Sequence, residues 1–518
     1  MHLNMNPKYV KRTSMACAAV LAATAILAGC GGSKTDNGGA AQTAGKDAGA
    51  AKTEGPLKLT IMANLSTPEV PSDRIEKILE EKTNTQLEFQ WVPDGSYDEK
   101  FQAAFATGSL PQAAYLKNQS SFVLLRDAIK NGQFWEIGPY LKDYPNLSKL
   151  NPDVLKNTAV EGKIYSLYQE RPIARQGVIY RKDWADKLGL PEPKTVDDLY
   201  NMMKKFKEAD LAGGGKTLGL ADRNDLIYGS FKTLSSYFNT PNGWGVADGK
   251  LVPEFMTKGY MDTMKFIKKL RDEGLINQDF PVTSKTDQQN MMYTGRAGVY
   301  IGSMQDVLTI QDKTSKNVKE AQYDVLNQFT SEFNSKPTTW GIPGFGTLVV
   351  FPKSSVKSEQ ELKQILAFFD KFFSPEIANL LKYGVEGSHY TLVDGKVQPG
   401  TDEKLKEKEQ KPYLTVALAD TTNILPTQYT LKAQEKAVNL SNDAVKFALQ
   451  DPTVPLDSKT FNEKGARLQD IIKDATYKFM LGNIDEAGFQ AAVKKWQDEG
   501  GAKIMEEYNA SYKASGGK

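Results

Sequence analysis

Residues 57–116 switch repeatedly between two hydrophobic periods, and that alternation restricts the fold more than any other feature of the chain. Leu57-Lys58-Leu59-Thr60-Ile61-Met62 has the two-residue period of a strand. Ile75, Ile78 and Leu79 share one face of a helix, with Ser72 placed to cap it. Residues 86–92 return to a strand and 97–106 to a helix. Gly108-Ser109-Leu110-Pro111 then turns into a short strand at 113–116. Strand, helix, strand, helix, strand predicts an open parallel sheet. In such sheets ligands collect beyond the carboxyl ends of the strands. The loops at 64–67, 93–96 and 117–120 are therefore the first places to seek a site.

A second α/β stretch begins near Gly177, with Val178-Ile179-Tyr180 as a strand. Thr195-Val196-Asp197-Asp198 opens a helix as a capping box, with Asp in place of the usual Glu. Leu199, Met202, Met203 and Phe206 line its buried face. Further strands are expected at 217–220 and 297–301, with an amphipathic helix at 260–270 between them. The C-terminal third is helical, at 359–373, 461–481 and 485–496. Phe489, Ala492, Val493 and Trp496 make one apolar stripe of the last. Three acidic-Gly-Lys triplets, at 161–163, 248–250 and 394–396, predict tight hairpins, since those turns need positive φ.

The start of the chain is of another kind. Lys8, Lys11 and Arg12 precede an apolar stretch at 15–27 that is too short for a permanent membrane span. Leu27-Ala28-Gly29-Cys30 resembles the bacterial lipobox, which implies a signal peptide at 1–29 and a lipid on the Cys30 thiol. Residues 31–55 are rich in Gly, Ala, Thr and Lys and predict a flexible linker. Cleavage leaves about 490 residues, enough for two or three packed units. Cys30 is then the only cysteine and His389 the only histidine. Disulfides, thiolate metal sites and His-rich metal sites are excluded, and a Ser-His-Asp triad has one imidazole to use. With 65 basic and 63 acidic residues, no basic field exists to attract nucleic acid. Residues 279–287 carry several oxygen side chains, but neither the spacing nor the Gly of an EF-hand, so a structural calcium is possible without support.

Blocks spread along the body resemble the extracellular solute-binding proteins of ABC importers. The likeness is to the carbohydrate-binding group that includes maltodextrin-binding proteins, in its Gram-positive lipoprotein subgroup. They are Ala106-Thr107-Gly108-Ser109-Leu110-Pro111-Gln112 (with Gln112 where Asp is usual), Gly162-Lys163-Ile164-Tyr165, Tyr180-Arg181-Lys182-Asp183-Trp184, Gly295-Arg296-Ala297-Gly298 and Val385-Glu386-Gly387-Ser388-His389-Tyr390. The resemblance implies a two-lobe α/β fold of the periplasmic-binding-protein type II, with hinge crossovers and a helical C-terminal region. It suggests one lobe from 56–175 and 343–395 and a second from 176–342 and 396–518. It implies a lipid-anchored monomer with several acyl chains on the outer face of the cell membrane. Such a protein captures a sugar or oligosaccharide between its lobes, hands it to the permease subunits and catalyses nothing.

Sugars present a polar rim and an apolar face, so their sites combine aromatic rings with planar hydrogen-bonding groups. The first-lobe loops offer Asn64, Trp91, Asp94, Asn118 and Gln119. The first crossover offers Arg175 and Gln176. The second lobe offers Arg223, Asn224, Asp225 and Tyr228. Trp244 and Trp340 have glycine neighbours that favour exposed rings, and His389 and Tyr390 are candidates from the third segment. Simpler roles stand beside these: Trp91 in a core, Arg175 in an ion pair, Asp225 as a cap. Three rival functions are a surface glycosidase, a binding protein for a peptide or metal chelate, and a ligand-presenting sensor partner. The glycosidase needs two carboxylates about 5–10 Å apart. Asp197-Asp198 reads instead as helix N-terminal charge.

Overall fold

The computed structural model describes residues 55–516, apart from 118 and 333. The expected lipobox and linker, Cys30 included, lie outside them. The alternation at 57–116 folds as read: strands Leu57–Leu65, Thr85–Pro93 and Ala113–Leu116 pair in parallel, with helices Arg74–Thr83 and Tyr97–Ala106 between them. The first helix starts two residues past Ser72, and Asp73 takes the N-cap position. Gln112 ties this sheet to a distant helix: its Oε1 accepts from Thr60 N at 2.9 Å and its Nε2 donates to Glu361 at 2.7 Å.

Strand 345–350 adds antiparallel to 113–116, and 166–170 pairs antiparallel with it in turn, giving a five-stranded sheet in the order 85–93, 57–65, 113–116, 345–350, 166–170. Its core runs from Leu59 and Ile61 through Tyr115 and Leu348 to Phe369. Tyr97 fastens the layers by donating its hydroxyl to Tyr115 O at 2.6 Å. Tyr115 in turn donates to Val416 O at 2.9 Å.

The second sheet has four strands, in the order 323–326, 176–181, 297–303, 218–221. One face packs on Leu199, Met203 and Phe206 of the capping-box helix and on the C-terminal helices through Phe479, Phe489 and Trp496. The other packs on Met304, Ile310 and Ala437. Thr195 Oγ1 accepts from Asp198 N at 3.0 Å, and the Asp198 carboxylate accepts from Thr195 N at 3.0 Å, which closes the expected box. Gly177 is required by packing, because a Cβ there would stand 2.4 Å from Leu326 O. The three acidic-Gly turns form hairpins, with φ of 50–51° at the acid and 70–76° at the glycine.

The chain passes between the sheets at 171–175, at 341–344 and again after 419. The first two passages lie side by side: Arg171 N donates to Gly344 O at 3.0 Å and Ile342 N to Ile173 O at 2.8 Å. The third comes later than expected. The resemblance suggests that residues past 395 belong to the second lobe, but Tyr413, Val416 and Leu418 are buried in the first core. The hydrophobic run at 413–419 decides this, and only from helix Lys432–Ala444 onward do Ala433 and Ala437 join the second sheet.

Candidate functional site

At the carboxyl ends of the first three strands, the sequence places a short polar residue, an acid and a lysine. Asn64 Nδ2 donates to Asp94 Oδ1 at 2.9 Å. Lys117 Nζ donates to Asp94 O at 2.9 Å and pairs with Asp94 Oδ2 at 3.1 Å. Each strand end thus contributes one group to a single polar knot. Lys117 falls in a loop singled out from the sequence, yet it was absent from the candidates because a lone lysine carries no motif. Asn118 lies outside the described residues. Gln119 begins a helix, Gln119–Val123. Trp91 belongs to the packing rather than to this knot. Its ring stacks on Phe89 at 5.0 Å and meets the edge of Tyr413 at 5.5 Å.

In the second lobe, strand Leu218–Ala221 ends in the loop that carries Arg223, Asn224, Asp225 and Tyr228. Arg223 is buried and organises the loop. It donates to Gln288 Oε1 at 3.2 Å, to Asp225 Oδ2 at 3.2 Å and to Tyr228 O at 2.7 Å. Asp225 Oδ1 accepts from the backbone of Ile227 and Tyr228, so it caps a turn, and Asn224 holds the loop to Thr283 through its backbone. Beneath them, burial raises the Asp222 carboxyl to about 6, against the hydrogen bonds it accepts from Ser230. Gln288 had no signal in sequence: it accepts from Arg223 and donates through Nε2 to Ala221 O at 3.0 Å, both partners brought to it by folding.

This scaffold presents Tyr228, whose side chain is the outcome. The residue is 45% exposed and its ring lies 5.8 Å from that of Trp340. Trp340 itself is only 4% exposed, and its indole N–H donates to Thr233 Oγ1 at 3.1 Å. The glycine neighbour does not expose it. Strand Thr339–Trp340 pairs with Ala448–Leu449, and that pairing turns the ring inward. Trp244 differs from expectation in the same way, being buried against Tyr508 at 5.2 Å.

The first crossover supplies two guanidinium groups. Arg171 and Arg175 are exposed, and neither has an ion-pair partner among the described residues. Arg175 O accepts from Met304 N at 3.0 Å, which fixes the backbone while the side chain stays free. The next residue, Gln176, is buried with an Oε1 that has no donor. His389 is also buried. Its Nδ1 accepts from Val385 N at 2.9 Å and its Nε2 lies 3.4 Å from Glu409, while burial lowers its pKa. Tyr390 packs on Tyr383 at 5.8 Å in a hairpin beside that histidine. The oxygen side chains at 279–287 are spent on local turns, as in Asn277 to Asp279 and Ser284 to Asp287. Among the described residues no three His, Cys, Asp or Glu gather as a metal cluster.

The family of bacterial extracellular solute-binding proteins matches residues 68–379. The chain belongs to that family. It is 41% identical over 498 residues to the polygalacturonan/rhamnogalacturonan-binding protein YtcQ of Bacillus subtilis (strain 168), covering 95% of this chain and 97% of that one. Lipoprotein LipO of the same organism is 36% identical over 504 residues, with the same coverage. Among solved structures, the chain resembles the HMO binding ABC-transporter associated solute-binding protein from Bifidobacterium longum infantis. It superposes with a TM-score of 0.68 at 19% identity, over 90% of this chain and 100% of that one. The fold class is therefore the two-lobe type II architecture. Its lobes are joined by the crossovers, the segments that carry Arg175 and adjoin Trp340.

Proposed function

We propose that this solute-binding protein captures an acidic oligosaccharide, of the galacturonide class, for an ABC permease. The observation that carries the sugar reading is Tyr228, an exposed ring backed by a buried indole. An aromatic ring held in place this way covers the apolar face of a pyranose without losing side-chain freedom on binding. The acidic reading rests on Arg171 and Arg175, two unpaired guanidiniums on the first crossover, which suit the bidentate geometry of a carboxylate. The polygalacturonan-binding relative at 41% identity supports the same class. Isothermal calorimetry decides it. Oligogalacturonides are expected to bind, with affinity falling as salt is raised. Neutral oligosaccharides of equal length are expected to bind at least tenfold more weakly, a difference of about 1.4 kcal/mol. Equal affinity for both would remove the acidic reading.

The protein is further proposed to be tethered through a lipid on Cys30, on the outer face of the membrane. The lipobox motif and the lipoprotein relative support this reading. No described helix is long and apolar enough to cross a membrane. Acyl chains contribute about 0.8 kcal/mol per buried methylene, so two or more hold firmly. Cys30→Ser is expected to release the protein from the membrane fraction into the soluble one, and retention would count against the anchor.

A further inference from the structure

Among the described residues, a contact outside the crossovers joins the two lobes and is built around a buried cation. Helix Arg126–Lys130 belongs to the first lobe, where Leu125 and Ile129 are core residues. The segment at 454–457 belongs to the second: Leu456 is in that core, and Asp457 N donates to Ser511 Oγ at 3.3 Å. Arg126 reaches across. It donates to Leu456 O at 2.5 Å and to Val454 O at 2.8 Å, with Asp457 3.8 Å away. At the rim, Lys130 Nζ pairs with Asp457 Oδ2 at 2.7 Å.

The geometry points to a latch: residues 454–457 form a strap that Arg126 and Lys130 grip, and this grip resists separation of the lobes. Arg126 is only 6% exposed. Rotating the lobes apart on their crossovers would strip two carbonyl partners from a buried guanidinium and part an ion pair. Both losses disfavour the separated arrangement. A ligand that needs the lobes together then binds more tightly, because fewer molecules start in a binding-incompetent state. The inference rests on the reading of the protein as a two-lobe capture device.

The test compares the full mature chain with Arg126→Gln and, at the solvent-facing rim, with Asp457→Asn. Small-angle X-ray scattering without ligand is expected to give a larger radius of gyration for both variants. Saturating digalacturonate should return them to the wild-type liganded radius. The dissociation constant should rise about tenfold for Arg126→Gln and two- to threefold for Asp457→Asn. An unchanged or smaller ligand-free radius in Asp457→Asn, with unchanged affinity, would overturn the latch, even if Arg126→Gln does not fold. Failure of the wild type to bind digalacturonate would count against the proposed ligand instead. The ligand-free radii would still decide the latch.

Discussion

Trp340→Ala is expected to lower folding stability by about 3–5 kcal/mol, the usual cost of deleting a buried indole. Tyr228→Ala is expected to change stability by no more than about 0.5 kcal/mol and yet to weaken oligosaccharide binding at least tenfold. The two rings touch, at 5.8 Å, but they do different work. Trp340 fills space at the second crossover and donates to Thr233, so its loss leaves a cavity and an unpaired hydroxyl. Tyr228 is nearly half exposed. Chemical denaturation and calorimetry on both variants separate these roles. Should Trp340→Ala prove as stable as wild type, or Tyr228→Ala bind unchanged, the division of labour is wrong.

The second large effect is expected at Glu170, where the first and third passages between the lobes meet. Its carboxylate accepts from the backbone N–H of Asp420 at 3.0 Å and of Thr421 and Thr422 at 2.9 Å, and from both threonine hydroxyls. Burial opposes ionisation, but these donors outweigh it and hold the pKa below its ordinary 4.5. Glu170→Ala removes the acceptor of these hydrogen bonds and is expected to cost about 2–3 kcal/mol. The pH dependence has a definite sign. A carboxyl with a lowered folded pKa contributes stability above its unfolded value, near 4.5, and loses it as pH falls through the folded value. The gap between wild type and Glu170→Ala should therefore be full at pH 7 and shrink as pH falls below the ordinary 4.5 and through the lowered folded value. A gap that stays constant from pH 7 to pH 3 would show that packing, not the ionised nest, accounts for the loss.

Local signals in the sequence carried much of the fold. The alternation at 57–116, the Thr195 and Asp198 box and the acidic-Gly turns each depend on residues within a few positions of one another, and each formed. What could not be read depends on distant partners. Trp244 is flanked by glycines, a sign of exposure, but Tyr508 from the last helix covers it. Trp340 is turned inward by a strand at 448–449 that has no periodicity to announce it. The third passage comes later than the resemblance suggests, because the chain returns to the first core at Tyr413 before leaving. The candidate site shows the same division. Asn64 and Asp94 meet because strand ends are legible. Lys117, Gln288 and Arg126 were not, since each acts only through a neighbour brought close by folding.

Small-angle scattering of the mature protein during titration with digalacturonate tests the central claim most directly, because capture by closure of two lobes requires a change of dimensions with occupancy. The radius of gyration is expected to fall as ligand is added and to reach a plateau at the stoichiometric point given by calorimetry. A radius that stays constant while calorimetry reports saturation would contradict capture by closure.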